Sequence, residues 1–249
     1  MQNNTDAILI FGATSAVAQV LAKLHAQAGD PLLLIARNQE RLESIAADLR
    51  ARSTQPVKCI NTDLALVDQH PNLMQDIAEQ FGGISKYYFF YGVLPDQKAC
   101  EGSWDLAYDA LNTNFLSKAS LLTYVANKVE KETNRSLIIV SSVAGDRGRQ
   151  SNYIYGASKG ALSMFVQGLR NRLQKADCSV TTIKPGFIDT PMTKEFDKNI
   201  LWATPEQVAN DIFKASMKGR DVIYSPWFWR YIMFIIRCIP EGIFKKLSL

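Results

Sequence analysis

The sequence has few of the residues that build metal centres and disulfide frameworks. Among its 249 residues are four cysteines and two histidines. The cysteines stand far apart, with no Cys-x-x-Cys pair and no histidine beside them, so a metal site is not expected. Isolated thiols are usual in the reducing cytoplasm, which is therefore the predicted location. The four are Cys59, Cys100, Cys178 and Cys238.

Strong charge and long apolar runs are also missing. The net charge is +4, which does not indicate nucleic-acid binding. The first residues contain no basic segment followed by an apolar one, so no signal peptide is predicted. No internal repeat or low-complexity linker divides the chain, and 47% of its residues are apolar, as in a globular protein with a large core.

What the chain does contain is an alternation of short apolar runs with amphipathic helical segments. Runs such as 7–11 and 32–36 are typical of buried parallel strands. Segment 39–52 places its apolar residues at helical spacing. This alternation predicts a single α/β domain with a doubly wound parallel sheet. The sheet is expected within 1–225, and 226–249 is expected to be an amphipathic C-terminal extension of the same domain.

The most informative stretch runs from Ser141 to Lys159. An apolar strand ends at two serines, and Tyr155 and Lys159, four residues apart, share one face of the helix that follows. A lysine ammonium beside a phenol favours the phenolate, so the pKa of Tyr155 is expected to fall from about 10 toward neutrality. Such a tyrosine exchanges a proton with a substrate oxygen, and Ser142 is placed to hydrogen-bond the same oxygen.

The interval from Ser142 to Tyr155, with a strand before it and a helix after it, resembles the short-chain dehydrogenase/reductase family. The resemblance implies a Rossmann-type fold, a nicotinamide cofactor and hydride transfer to a ketone, with Ser142, Tyr155 and Lys159 as the catalytic set. It also implies that Asn114 completes a proton relay by holding a water that links the lysine to solvent. Asn112 is the competing candidate, and Asn114 is preferred because the residues after it match the family's continuation.

Glycine is scarce where the family places most of it. The turn after the first strand keeps Gly12 but has Ala16 and Ala18 at the other two glycine positions. Alanine is the smallest departure that still lets helix, strand and phosphate approach each other. Of the family's Asn-Asn-Ala-Gly element, only Gly92 is retained. These departures leave open a non-catalytic member of the fold, although the intact Ser–Tyr–Lys set favours an enzyme.

The end of the second strand bears on the choice of cofactor. It reads Ala36-Arg37-Asn38, with no acidic residue to hydrogen-bond an adenosine ribose. An arginine there pairs with a 2′-phosphate, so NADP(H) is favoured. Stacking of Arg37 on adenine would suit NAD(H) as well. The family pattern assigns the cofactor to Gly12, Thr14, Ser15, Val17, Arg37, Asp63, Leu64, Gly92, Tyr155, Lys159, Pro185, Ile188 and Thr190.

The C-terminal extension is rich in aromatic and basic residues. Arg230 and Arg237 interrupt its apolar run, which is too short to predict a transmembrane span. Aromatic residues with a basic stripe suit a helix that lies in a membrane interface. A helix packed on the domain or on a second subunit explains the pattern equally well. The family resemblance implies a homo-oligomer.

Together with 141–148 and 184–192, the extension resembles more narrowly the reductase subunits of decaprenylphosphoryl-ribose 2-epimerases. This resemblance implies a 2-keto sugar on a polyprenyl phosphate as substrate, a separate flavin oxidase subunit as partner, and action at the inner face of the membrane. The alternative is a soluble ketone or 3-oxoacyl substrate, with the extension as a dimer contact. In the first case the phosphate would meet one of the extension's basic residues, Arg230, Arg237, Lys245 or Lys246.

Overall fold

The computed structural model describes residues 6–247, in which strands and helices alternate along the chain. The strands are β1 (Ala7–Phe11), β2 (Leu32–Ala36), β3 (Val57–Asn61), β4 (Ile84–Phe89), β5 (Arg135–Val140), β6 (Cys178–Pro185) and β7 (Val222–Ser225). They form one parallel sheet in the order β3-β2-β1-β4-β5-β6-β7. The order reverses between β1 and β4, and ligand clefts of such sheets lie there, at the carboxyl ends of the strands.

Helices cover both faces of the sheet, which confirms the predicted doubly wound α/β fold. They are α1 (Ala16–Gln27), α2 (Gln39–Arg52), α3 (His70–Gln80), α4 (Gln97–Gly102), α5 (Trp104–Leu111), α6 (Ser117–Val129), α7 (Tyr153–Leu173), α8 (Pro205–Met217), α9 (Trp229–Cys238) and α10 (Glu241–Phe244). Helices α1, α2 and α8 pack on one face, and α3, α6 and α7 pack on the other.

Strand β1 shows why the sheet is a rigid platform. Ile8 and Ile10 point into the layer with α1, whereas Leu9 and Phe11 point into the opposite layer. All four side chains are buried. Burial of side chains of this size stabilises a fold by about 1.5–3 kcal/mol each. The carboxyl end of β1, where the functional site begins, is thus held from both sides.

Two features differ from or refine the sequence interpretation. The apolar pattern predicts the fourth strand at 87–92, whereas β4 ends at Phe89. The Phe90 amide donates to the Phe11 carbonyl oxygen at 2.8 Å, and the chain then leaves the sheet to form a cleft wall. The helical region after β4 is predicted to break near Asn112, and a π-helical turn at Asn112–Leu116 confirms the break. Such turns occur frequently at functional sites.

The C-terminal extension folds back on the domain. Helix α9 buries Trp229 and Met233 against Val143, which follows β5. The Arg147 guanidinium donates to the carbonyl oxygen of Ile236 at 2.6 Å. Packing on the domain, one of the explanations left open by the sequence, is therefore present. Across residues 6–247, no helix has the length and apolar character needed to cross a membrane.

Candidate active site

A cleft of about 810 Å³ opens at the carboxyl edge of the sheet, where β1 and β4 meet. Every residue that the sequence assigned to catalysis or cofactor binding lines it, except Asn114. Residues separated by more than a hundred positions are thus brought together. The lining residues among them are Gly12, Thr14, Ser15, Val17, Arg37, Asp63, Leu64, Gly92, Ser142, Tyr155, Lys159, Pro185, Ile188 and Thr190.

The turn between β1 and α1 has the shape needed to hold a phosphate. Gly12 has a φ of +80°, a left-handed conformation that glycine adopts without strain. A Cβ there would lie 2.5 Å from the Tyr91 amide nitrogen, so no larger residue fits. Ser15 precedes α1 and, within the described chain, makes no side-chain hydrogen bond to cap it. The first amide groups of α1 therefore remain available to an anion in the cleft.

Two arginines line the far end of the cleft. Arg37 Nη1 lies 3.7 Å from Asp63 Oδ2, and most of the Arg37 side chain is exposed. Arg41, in the first turn of α2, lines the cleft as well. Arg41 was not assigned from the sequence, although it follows Arg37 by only four residues.

Close backbone packing positions α7 against the end of β5. A Cβ at Gly145 would lie 2.6 Å from the Gly160 amide nitrogen, so only glycine permits this approach. Ser141 Oγ donates to the Lys159 carbonyl oxygen at 2.9 Å and contacts Ser163 Oγ at 2.7 Å. The helix that carries the predicted tyrosine and lysine is thus fixed to the strand that carries Ser142.

Ser142, Tyr155 and Lys159 meet at the centre of the cleft. Ser142 Oγ accepts a hydrogen bond from the Ala144 amide at 3.1 Å, which orients the hydroxyl. Lys159 is almost completely buried, and its Nζ donates to the Val140 carbonyl oxygen at 3.3 Å. The same Nζ lies 5.5 Å from the centroid of the Tyr155 ring.

The electrostatics of this trio contradict one sequence expectation. The pKa of Tyr155 is raised by burial, and hydrogen bonding with Ser142 opposes that rise. The prediction that Lys159 lowers the pKa of Tyr155 toward neutrality is therefore wrong for this structure. Burial lowers the pKa of Lys159 to about 8. Desolvation is the largest influence on both groups, because Lys159 is almost completely buried and Tyr155 is half-buried in the cleft wall.

Asn114 lies just behind the cleft wall and is completely buried. Its Nδ2 donates to the Val93 carbonyl oxygen at 2.8 Å, and its Oδ1 accepts from the Val93 amide at 2.9 Å. Its competitor Asn112 instead donates to the Ala65 carbonyl oxygen at 3.0 Å. Asn114 thus fixes the loop beside Lys159, whereas Asn112 braces the loop that follows β3.

Comparison with known proteins agrees with this geometry. Residues 6–201 match the family model described as short chain dehydrogenase. The chain belongs to the short-chain dehydrogenase family. An uncharacterised oxidoreductase of Mycobacterium tuberculosis is 31% identical to it over 240 residues, which are 96% of each chain. A relative from Streptomyces coelicolor is 27% identical over 96% of this chain and 95% of the relative.

Solved structures show the same fold for this short-chain dehydrogenase. A short-chain dehydrogenase from Sphingobium yanoikuyae, solved with NADPH, has a TM-score of 0.82 and 19% identity, covering 97% of this chain and 96% of the other. A short-chain dehydrogenase from Shigella flexneri, solved with NADP, has a TM-score of 0.80 and 22% identity, covering 89% and 96%. At these identities the likeness concerns the fold.

The C-terminal extension of this short-chain dehydrogenase packs behind one wall of the cleft. A Cβ at Gly186 would lie 1.9 Å from Trp229 Nε1, so the indole rests directly on the backbone after β6. Phe187 stacks on Trp202 at 5.3 Å between ring centroids and meets Trp229 edge-on at 5.2 Å. Phe187 and Trp202 line the cleft as an aromatic wall that the sequence analysis did not assign.

Arg149 is the charged residue that the sequence analysis missed at this end. It lines the cleft, and Gln150 beside it does too. Its Nη2 lies 3.8 Å from Met233 Sδ, while its buried Nε has no partner among the described residues. None of the basic residues predicted to meet a phosphate lines the cleft. Of them, Lys245 comes nearest, in a small adjoining pocket that shares Arg149 and Gln150.

Proposed function

We propose that the protein is an NADP(H)-dependent ketoreductase. The observation that carries this proposal is that one cleft holds Ser142, Tyr155 and Lys159 at its centre and two arginines at its far end. A purely cofactor-binding protein has no use for a buried Ser–Tyr–Lys set. The proposal therefore favours an enzyme over the non-catalytic alternative.

Each residue of the proposed catalytic set has a separate role in the reduction. A bound nicotinamide would supply the hydride to the carbonyl carbon. Tyr155 Oη, kept protonated by its raised pKa, donates a proton to the carbonyl oxygen as negative charge develops there. Ser142 Oγ hydrogen-bonds the same oxygen and positions it. Lys159 contributes positive charge beside Tyr155 and would hydrogen-bond the nicotinamide ribose, and Asn114 would hold the relay water.

The cleft fits the cofactor along its whole length. The amide groups at the start of α1 would hold the pyrophosphate, and Ala16 takes a glycine position there without filling the cleft. Asp63 and Leu64 would hold the adenine, and Ile188 and Thr190, which line the same cleft, would hold the nicotinamide. Solved relatives of the fold carry NADP or NADPH, and one carries NAD. The two arginines support NADP(H) over NAD(H).

Replacement of Arg37 by alanine is expected to weaken NADPH binding by roughly tenfold, because one charge-assisted contact to the 2′-phosphate is lost at an exposed site. Binding of NADH should change little. Arg52→Ala is the matched control, since Arg52 lies at the other end of α2 and pairs with Asp48. Fluorescence titration of both cofactors measures the effect. Tighter binding of NADH than NADPH by the parent protein would contradict the NADP(H) assignment.

For the substrate, we propose a 2-keto sugar carried on a polyprenyl phosphate. Arg149 supports an anionic group in the substrate half of the cleft, because its buried Nε has no hydrogen-bond partner within residues 6–247. The aromatic wall of Phe187 and Trp202 supports an apolar group next to it. Under this proposal a separate flavin oxidase subunit makes the ketone, and reduction takes place at the inner face of the membrane.

The second candidate is a soluble ketone or 3-oxoacyl substrate. Two structural neighbours favour it by their own chemistry. One is a 3-oxoacyl-[acyl-carrier protein] reductase from Brucella melitensis, with a TM-score of 0.78 and 21% identity. The other is the actinorhodin polyketide ketoreductase, with a TM-score of 0.80 and 19% identity. An acyl chain would pack against the aromatic wall. Arg149 would then bind a phosphate group of the carrier.

The outward face of the C-terminal extension offers a way to distinguish the two candidate substrates experimentally. Trp227, Tyr231, Phe234 and Ile235 are exposed, whereas Trp229 and Met233 on the other side hold α9 to the domain. A helix with one face packed and one apolar face outward is suited to lie in a membrane interface. Substitutions confined to the outward face leave the packed face intact.

We expect the full chain to float with anionic liposomes and the triple variant Tyr231→Ser, Phe234→Ser, Ile235→Ser to lose most of that binding. The control is Met164→Ser, because Met164 is equally exposed but lies on α7. Flotation and light scattering are measured together. If the parent does not bind vesicles and the triple variant loses a dimer instead, the extension is a subunit contact and the lipid-linked substrate is abandoned.

A further inference from the structure

A second lysine lies beside Lys159. Lys118, in the first turn of α6, is completely buried. Its nitrogen has no hydrogen-bond partner within residues 6–247, and the charged side chain that acts on it is Lys159. A buried ammonium without a counter-ion is strongly disfavoured, so such a group loses its proton or finds a special partner.

The two lysine nitrogens converge on one point. A carbon added to Gly92 would lie 3.6 Å from Lys159 Nζ and 3.7 Å from Lys118 Nζ. Lys118 reaches this point from α6 and Lys159 from α7, and of the two only Lys159 lines the cleft. Asn114, which is four residues before Lys118 and shares its helical face, completes the cluster.

The surroundings determine which nitrogen carries the charge. Lys118 Nζ lies 4.9 Å from the centroid of the Tyr91 ring, whose hydroxyl receives a hydrogen bond from Ser117. The titratable groups near it are Tyr91, Lys159 and, one turn before Lys159, Tyr155. Burial and the positive charge of Lys159 hold the pKa of Lys118 well below its usual range. Burial raises the pKa values of Tyr91 and Tyr155, so both stay neutral.

We propose that Lys118 is a positioning residue for Lys159: its neutral amine accepts a hydrogen bond from the Lys159 ammonium. The pair then carries one positive charge, which stays on the lysine that faces the cleft. The Lys159 ammonium keeps its other hydrogen atoms for the Val140 carbonyl oxygen, at 3.3 Å, and for the cleft. This inference rests on the proposed function of Lys159 and extends it to a residue outside the Ser–Tyr–Lys set.

The first test is the pH dependence of ketone reduction by Lys118→Met, a variant of similar length without an amine. Loss of the acceptor destabilises the Lys159 ammonium, whose pKa in the parent is about 8. The high-pH fall in kcat should therefore move about one pH unit lower, while the KM for the ketone changes less than twofold. If Lys118→Met is folded and its high-pH fall in kcat is not shifted, the proposal is overturned.

The second test needs no substrate. At pH 7 the unfolded chain binds a proton at Lys118 that the folded chain does not, so this site makes stability rise with pH up to the ordinary lysine pKa of about 10.4. Lys118→Met removes the free-energy cost of losing this proton when the chain folds. Its Tm should exceed the parent's by roughly 2–4 °C at pH 7, and the difference should shrink toward pH 10. A Tm below the parent's at pH 7 overturns the proposal.

The matched control is Tyr87→Phe, which also removes a buried polar group without a partner in the described chain. Tyr87 lies in β4 near Arg135 and Glu132, and not in the cleft lining. The variant Tyr87→Phe should leave the pH profile of kcat unchanged. If the parent reduces no ketone at all, the proposed function fails by itself, and the stability test still decides whether Lys118 is a neutral buried amine.

Discussion

Tyr155→Phe is expected to lower kcat for ketone reduction by about a hundredfold or more. The substitution removes the one proton that the protein donates to the carbonyl oxygen, and positioned proton donors contribute about 10²–10⁴-fold. The ring and its contacts remain, so NADPH affinity and thermal stability should stay close to those of the parent. Steady-state kinetics with NADPH consumption as the signal measures the loss.

The control for this experiment is Tyr153→Phe. Tyr153 is two residues earlier on α7, its side chain is exposed and it does not line the cleft. It should retain parental turnover. Near-normal reduction by Tyr155→Phe would remove Tyr155 from the mechanism. A parallel loss of turnover in both variants would point to α7 packing and not to proton donation.

Gly145→Ala should lower kcat nearly as much as Tyr155→Phe does. It displaces the catalytic groups but leaves their chemical nature unchanged. The added carbon would lie 2.6 Å from the backbone of Gly160, where no flexible side chain can give way. Helix α7 must then move away from the end of β5 and take Tyr155 and Lys159 with it. Displacement of catalytic groups by about 1 Å can cost a hundredfold in rate. Overpacking typically destabilises by a further 1–3 kcal/mol.

A neighbouring glycine provides the comparison for that variant. Gly148 lies in the same loop, and a Cβ there would have no atom within 4 Å. Gly148→Ala should therefore keep both turnover and Tm. The decisive measurement is kcat together with a melting curve. If Gly145→Ala is as active as Gly148→Ala, the close approach of β5 and α7 is not what positions the catalytic pair.

The fold and the cleft centre were predictable because their signals are local. Apolar runs such as 7–11 and 32–36 match β1 and β2 residue for residue, since a strand buried on both faces needs a continuous apolar sequence. The spacing of Ser142, Tyr155 and Lys159 was also readable, because all three lie within one strand–loop–helix unit. Parallel strands then bring their carboxyl ends to one edge without further information.

What could not be predicted depends on burial and on distant partners. The pKa of Tyr155 runs opposite to the expectation because spacing shows that Lys159 is near but not that both groups are desolvated. Arg149 and Lys118 have no motif of their own. Arg149 can be given a role only once α9 is seen to pack against it, and Lys118 only once it is seen to lie beside Gly92. No local sequence pattern encodes either contact.

The anchoring of the C-terminal extension has a consequence for how the enzyme is made. Arg147, five residues after Ser142, reaches the last turn of α9 and lies 3.7 Å from the centroid of the Phe244 ring. A nascent chain elongates at about 5–20 residues per second, so Tyr155 leaves the ribosome seconds before Phe244 is added. During that interval the loop after Ser142 lacks its outer wall. The outer wall of this loop is thus supplied by residues that are synthesised 89 or more positions after Arg147.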